Sequence, residues 1–330
     1  MILAGDIGGT HSRFGLFELP ELRLVCERSI ENKGRGTFTE VAREFLAEAG
    51  VGGDQIEAAT FGVAGPVRAG GGQVKLTNLS WDLEERALER DLGIRHIALI
   101  NDLRAHAEGL PLLRPQDLIT VVPAATPRAQ GNRAIIAAGT GLGEAGIIWV
   151  DQEQRHHSVS CEGGHCDFAP QTAREWQLLE HLRQAGKPLS FESVLSGRGL
   201  RNIYDFLISD RQMGKSAALA DANPDPSEIS RAGMAGGNPA CTEALEMFIA
   251  FYGAEAGNLA LKYLATGGVY LGGGIAPRIA SKILASKDFL ARFRNKGPEK
   301  IQKVLADIPI FIINSETNAL YGAASYARRM

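Results

Sequence analysis

An α/β fold in two lobes is what this sequence predicts, and three observations predict it. The chain has 330 residues, more than one hydrophobic core usually spans and enough for two. Its 39 glycines gather in short runs beside β-like segments, where they mark tight turns or close approach of backbone to something else. A strand, a glycine-rich turn and a second strand open each half of the chain, first at 2–18 and again at 133–150. That arrangement reads as one fold used twice. The two turns, Gly5-Asp-Ile-Gly-Gly-Thr10 and Ala138-Gly-Thr-Gly-Leu-Gly143, echo each other weakly as sequence and more clearly as architecture.

The elements follow in order. Ile2–Ala4, Ser12–Glu18 and Arg23–Ile30 read as three short strands, the first pair a hairpin. Phe38, Val41, Phe45 and Leu46 recur at helical spacing behind Thr37, a suitable N-cap, so a helix is expected over about Thr37–Ala49. Ile56–Ala64 reads as a strand that ends in Gly65-Pro66, and Gln73–Leu76 as a hairpin-like stretch. Asp82 is expected to cap a helix over Leu83–Leu92, before the apolar strand His96–Ile100. In the second half, Arg133–Ala138, Ala145–Val150 and His156–Ser160 read as strands, and helices dominate from Thr172 to Leu264. Val269–Leu271 and Pro309–Ile313 are further strands, and Asn318–Arg329 is a closing helix.

Composition narrows the classes of function. A formal charge of −3, with 22% charged residues and no basic run, gives no footing for nucleic acid or a membrane surface. Met1-Ile-Leu-Ala-Gly-Asp6 lacks the regions of a signal peptide, and no apolar stretch reaches the roughly 18 residues of a spanning helix. Cys26, Cys161, Cys166 and Cys241 are too scattered to read as a disulfide framework. A cytoplasmic protein is the expectation, with a homodimer as the commonest assembly.

Three glycine turns, at 5–10, 139–143 and 272–274, offer rows of backbone N–H groups of the kind a polyphosphate needs. Each also has a plain reading as a connection, because glycine is the default turn residue. No Gly-x-x-x-x-Gly-Lys-[Ser/Thr] occurs, which disfavours a P-loop. Gly141, Gly143 and Gly146 match Gly-x-Gly-x-x-Gly, but they run into the β-branched Ile147-Ile-Trp-Val150 instead of opening a helix. In the first turn a carboxylate, Asp6, stands among the glycines. Beside phosphates it would be repelled unless a cation bridged them, a task suited to Mg²⁺ with few carboxylates and several waters.

Asn101-Asp102 follows an apolar strand directly, where ligands of α/β proteins bind. A hydroxyl is a poor nucleophile, so where one attacks a phosphate a positioned carboxylate that accepts its proton is the expected device. Asp102 equally suits a helix cap, and one residue can do both. Cys161-Glu-Gly-Gly-His-Cys-Asp-Phe168 concentrates ionisable groups around two glycines; Glu162 and His165 can hold a polyol, or the thiols and imidazole can form part of a zinc set. Glu192, in Ser190-Phe-Glu-Ser-Val-Leu-Ser-Gly197, reads by itself as a helix-end charge.

The opening turn resembles that of the actin-like ATPases and sugar kinases, which share two ribonuclease H-like domains flanking an ATP cleft. Beyond it, Gly65-Pro66, Leu76-Thr-Asn-x-x-Trp81, Ile100-Asn-Asp102, Gly139-Thr-Gly-Leu-Gly143, Glu162-Gly-Gly-His165-x-Asp-Phe168, Glu192-x-Val-Leu-Ser-Gly197 and Gly272-Gly-Gly-Ile-x-Pro277 occur in that order. The set closely resembles the bacterial glucokinase family over nearly the whole chain. The resemblance implies transfer of the ATP γ-phosphoryl group to the 6-hydroxyl of glucose, with Asp102 as general base. Asn101, Glu162, His165 and Glu192 would hold the other hydroxyls, with Asn78 and the Gly65-Pro66 turn nearby. Gly8, Gly9 and Thr10 would face the phosphates and Asp6 the Mg²⁺; Gly139, Thr140 and Gly141 would meet phosphate from the other lobe, and Gly273 and Gly274 the adenosine.

The lobes are expected at 1–110 with 318–330, and at 111–317. Another hexose, or a sugar sensor without transfer, stays open beside glucose. Cys161 and Cys166 stand where the family more often has Gly and Val, which makes thiol oxidation a local concern. Asn318-Ala-Leu-Tyr-Gly322 is slightly altered from the usual form and is not expected to bear on catalysis. The zinc cysteines of the related ROK kinases and repressors are missing, and no helix-turn-helix precedes the first strand, so a repressor is not expected.

Overall fold

The structure is a computed structural model and describes residues 1–65, 67, 72–76, 81–124, 128–209, 219 and 223–330. Strands β1 (Ile2–Ile7), β2 (His11–Glu18) and β3 (Arg23–Glu31) lead to helix α1 (Phe38–Glu48) and strand β4 (Ala58–Val63). A small hairpin, β5 (Gln73–Lys75) and β6 (Asp82–Glu84), precedes α2 (Glu85–Leu92), β7 (Ile97–Asn101) and α3 (Asp102–Gly109). Next come β8 (Leu118–Val122), β9 (Arg133–Ala138), β10 (Leu142–Val150) and β11 (Arg155–Cys161). They are followed by α4 (Ala173–Gln184), α5 (Gly197–Ser209), α6 (Pro226–Ala235) and α7 (Pro239–Tyr263). The chain ends with β12 (Gly268–Gly272), α8 (Ala280–Ala285), α9 (Lys287–Arg294), α10 (Glu299–Ala306), β13 (Ile310–Ile313) and α11 (Asn318–Ala327).

Two compact units result: Met1–Pro115 with Ser158–Ser160 and Ser315–Met330, and Gln116–His157 with Cys161–Asn314. In the first unit the sheet runs β3-β2-β1-β4-β7, and in the second β11-β10-β9-β12-β13-β8. Each begins as an antiparallel pair, β1 with β2 and β9 with β10, and continues in parallel from the first strand, β1 with β4 and β9 with β12. The repeat suggested by the two glycine turns is therefore a repeat of topology, with β8 as an extra antiparallel edge strand. Both sheets have the mixed α/β order that the sequence predicts.

In the first unit, alternation along β1 sorts the side chains onto two faces. Leu3 and Ile7 pack with Phe38, Val41 and Phe45 of α1 and with Leu88 and Leu92 of α2. Ile2 and Ala4 pack instead with Ala105 of α3 and with Ala319, Leu320 and Ala323 of α11. α1 starts where expected: Thr37 and Glu40 form a reciprocal capping box. In the second unit one core joins the sheet to most of the helices. α7 is buried along nearly its whole length, which explains its apolar residues on every side. No helix among the described residues is long and apolar enough to cross a membrane.

Several local expectations need correction. Asp82 does not cap a helix; it lies in β6, opposite Lys75, and its side chain takes both contacts of the Gln73 amide. The polar run after Trp81 forms a strand because β5 supplies a partner, so α2 begins only at Glu85. β8 is a strand beyond those expected, paired antiparallel to β13. The closing helix packs tightly on α3. Gly322 of α11 lies so close to α3 that a Cβ there would stand 1.8 Å from the Ala105 carbonyl oxygen. α3 begins with Asp102, so this contact sets where Asp102 stands. Gly322→Ala should push the two helices apart at a cost of about 1–3 kcal/mol, measured as a lower denaturation midpoint together with reduced kcat.

Candidate active site

In the first unit three parallel strands end in one row. Ile7 pairs across to Val63, and Val63 to Asn101. The hydrogen-bond ladder thus sets the Gly8–Thr10 turn, Ala64-Gly65 and Asn101-Asp102 side by side at the carboxyl ends of the strands, where ligands of parallel sheets bind. Asp6 continues the face of Ile2 and Ala4, so it points to the side on which α3 lies. Gly62 permits this closeness: a Cβ there would come within 2.8 Å of Ala105 Cβ.

Asn101 turns out to be the cap of α3. Its Oδ1 accepts from Arg104 N at 3.2 Å and its Nδ2 donates to the Gly65 carbonyl at 3.2 Å. One amide therefore ties the helix start to the end of β4. Asp102 is the first helical residue, with Oδ1 accepting from Leu103 N at 2.9 Å, a place that favours a negative charge. One turn on, His106 lies near Asp6; burial lowers its pKa below the usual imidazole range, against the pull of the Asp6 carboxylate. Asn318 Nδ2 holds it from α11, 2.9 Å from the His106 carbonyl oxygen and 3.3 Å from Nδ1.

The Gly8–Thr10 turn is braced from below. Gly8 N–H donates to His11 O at 3.0 Å, so that donor is used within the turn. Asn32, which is buried, donates from Nδ2 to Gly8 O at 2.8 Å and from its backbone to Thr10 O at 2.8 Å. Its Oδ1 accepts from buried Ser12 at 2.8 Å. The sequence reading missed Asn32 because it sits just past a strand in no motif, and only the pairing of β3 with β2 brings it under the turn. Asn78 and Pro66 lie outside the described residues.

The second unit repeats the device. Gly139 follows β9 and Gly273 follows β12, its parallel neighbour. Gly273 adopts φ +78° and passes within what would be 2.4 Å of the Ala138 oxygen, so it is glycine for the fold. At Gly139 and Gly274 a Cβ would meet no described atom within 4 Å. Packing does not require glycine at either position. Thr140, next to Gly139, is exposed.

Glu162 and His165 are exposed on either side of buried Gly163 and Gly164. The glycines are dictated from beneath, since a Cβ on Gly164 would stand 2.2 Å from Leu142 O and one on Gly163 would stand 1.9 Å from Glu144 Oε2. The loop continues into paired backbone: Phe191 N donates to Cys166 O at 3.0 Å and Phe168 N to Leu189 O at 2.8 Å. That pairing delivers Glu192. It is not the solvated helix-end charge that its local sequence suggests, because its Oε2 accepts from Leu142 N at 3.0 Å and its Oε1 pairs with Arg198 at 3.0 Å. It lies in a short turn before α5 and clamps the Gly139–Leu142 turn, which also receives Gly197 N on Gly139 O at 2.8 Å.

Comparison with known proteins identifies the family. The sequence model of the glucokinase family matches residues 3–330. A glucokinase of Nostoc sp. is 38% identical over 100% of this chain and 99% of its own length. The chain belongs to the glucokinase family. A glucokinase of Chromobacterium violaceum is 36% identical over 98% of this chain and 88% of its own length. Among solved structures, glucokinase from an Antarctic psychrotroph superposes with a TM-score of 0.84 at 29% identity, covering 100% of this chain and 99% of that one. A ROK family glucokinase from Streptomyces griseus, seen with glucose and AMPPNP, shares the fold at a TM-score of 0.68 and 20% identity, covering 100% and 99%. The glucokinase family fold here is that of the actin-like ATPases and sugar kinases.

Two measurements test the braces and the open glycines. Asn32→Ala strands Gly8 O and Ser12, at a cost to stability of about 1–3 kcal/mol for the buried groups, and the KM for ATP should rise about tenfold, equivalent to about 1.4 kcal/mol. Gly274→Ala should leave the melting temperature unchanged and raise the KM for ATP about tenfold, a loss of about 1.4 kcal/mol.

Proposed function

We propose that this chain transfers the γ-phosphoryl group of ATP to the 6-hydroxyl of glucose, with Asp102 as the general base. The observation that carries the reading is the shared row of strand ends in the first unit, which sets Asp102 one strand away from the Gly65 turn and two from the Asp6 turn. As the sugar oxygen attacks phosphorus, its proton passes to the Asp102 carboxylate, and the bond from phosphorus to the β–γ bridging oxygen breaks to release ADP. Membership of the glucokinase family supports the reaction and the sugar. The AMPPNP and glucose bound by the Streptomyces griseus protein support the donor and the acceptor.

Roles follow for the remaining residues. Asn101 holds the helix start and offers its amide to the sugar, with Asn78 beside it. Glu162 and His165 face outward from their glycine loop and take the other hydroxyls. Glu192, whose carboxylate also clamps the Gly139–Leu142 turn, takes another of the sugar hydroxyls. Gly8, Gly9 and Thr10 hold phosphate, as do Gly139, Thr140 and Gly141, while Gly273 and Gly274 take the adenosine.

The first turn offers one carboxylate, and no group of three His, Cys, Asp or Glu among the described residues is arranged to hold an ion. That donor set fits Mg²⁺ carried in by nucleotide oxygens and water better than a resident metal. Asp6 would hold it through water, and it would supply neutralisation of phosphate charge. All four cysteines are free thiols, which supports a reducing, cytoplasmic setting.

The test is ADP release by the purified protein with Mg-ATP and glucose, mannose, fructose or N-acetylglucosamine, with the phosphorylated position read from the product. Turnover on glucose to the 6-phosphate is the expected result. Preference for another hexose would revise the sugar. Sugar binding without ADP release would overturn the assignment in favour of a sensor.

A further inference from the structure

Beneath the Glu162–His165 loop lies a pair of buried carboxyl groups that the reaction does not use. Glu144 on β10 is 1% exposed and Glu255 on α7 is 0% exposed. Two carboxylates buried beside each other repel, so one of them is held more readily with its proton on. The surroundings say which member carries that proton. Glu255 receives Lys262 Nζ on Oε1 at 3.1 Å and Asn258 Nδ2 on Oε2 at 2.8 Å. Lys296 Nζ fixes the Asn258 amide that way round by donating to its Oδ1 at 2.7 Å, while also donating to Ala254 O at 2.9 Å. Neither Glu144 oxygen receives a donor from any described residue. Glu255 is the ionised member and Glu144 the neutral one.

Glu144 is also in contact with the loop. Its Oε2 occupies the place a Cβ on Gly163 would need, 1.9 Å away, and its backbone carbonyl accepts from Cys161 Sγ at 3.4 Å. The residue thus meets the Glu162–His165 segment from its entry at Cys161 to its floor at Gly163. We propose that Glu144 is a positioning residue whose neutral carboxyl, buried and without a donor of its own, seats the backbone at Gly163 and so sets where Glu162 and His165 stand. The inference rests on the assignment of those two residues to the sugar.

Ionisation of Glu144 would set two buried charges against each other and draw water under Gly163. Burial, and then Glu255, push the Glu144 pKa up to about 8, against the pull of Lys262. Further out, Tyr263 on α7 faces both Glu144 and Cys161, Cys166 lies near Lys262, and Lys296 with Arg292 at the end of α9 lies near Glu255. Lys296 is pulled down to about 8 by burial, so a change in that range needs a variant to assign it. The sign is definite: the neutral form of Glu144 favours the seated loop, so sugar affinity holds below its pKa and falls as pH rises through it.

The experiment follows the KM for glucose and the KM for ATP from about pH 7 to about pH 9 in the wild type, Glu144→Gln, Glu144→Ala and Glu162→Gln. In the wild type the KM for glucose should rise about tenfold across that range while the KM for ATP stays level. Glu144→Gln, neutral at every pH, should keep the low wild-type value throughout, whereas Glu144→Ala should start high. An alkaline rise that persists in Glu144→Gln would assign it to another group, Lys296 first, and overturn the proposal. A wild-type KM for glucose that stays level across the range would overturn it as well. If instead Glu162→Gln leaves the KM for glucose untouched, the sugar assignment itself fails. Infrared spectra of the wild type give a second reading that does not depend on a variant folding. A protonated carboxyl band should be present near neutral pH and gone at the alkaline end, and its absence at neutral pH would overturn the proposal.

Discussion

The parallel pairing of β1 with β4 and β7 is the constraint on which the site depends. Because the strands run in one direction and in register, Ile7, Val63 and Asn101 end together. A carboxylate turn, a glycine turn and a helix start with its own carboxylate come side by side without any contact between their side chains being needed. β9 and β12 do the same for Gly139 and Gly273. Backbone hydrogen bonds thus place the chemistry, and side chains refine it. A one-residue slip of β1 against its neighbours would turn Asp6 to the face of α1 and α2.

Refinement falls to buried and half-buried polar side chains under each loop. Asn32 holds the Gly8–Thr10 turn, Asn101 the gap between Gly65 and α3, and Glu192 the Gly139–Leu142 turn. Glu144 stands under Gly163. Each is a side chain whose loss strands backbone or carboxyl groups away from water, where an unmet hydrogen bond is costly. Loops of glycine are otherwise free to take many conformations. The braces give these ones a single shape, which is what a polyphosphate or a sugar needs from its donors.

Much of this was legible in the sequence, for definite reasons. Short apolar runs on either side of glycine turns marked β1, β2, β9 and β10, and Thr37 ahead of helically spaced apolar residues marked the start of α1. The order of motifs marked the family. What escaped were residues whose role depends on distant neighbours. Asn32 and Glu144 belong to no local pattern and become braces only when β3 and α7 pack against them. Asp82 read as a cap because local sequence cannot show that β5 will claim it as a strand partner. Gly322 passed as a minor variation because the carbonyl it meets is more than two hundred residues away, on α3.

The central claim is that Asp102 takes the proton of the sugar hydroxyl, and rapid-quench single turnover of Asp102→Asn against the wild type tests it most directly. At saturating glucose and Mg-ATP the account predicts a phosphoryl-transfer step slowed by about 10² to 10⁴. Glucose affinity by calorimetry should stay within several-fold of the wild type. A transfer step within about tenfold of the wild type, with glucose still bound, would contradict the account and remove Asp102 from its role.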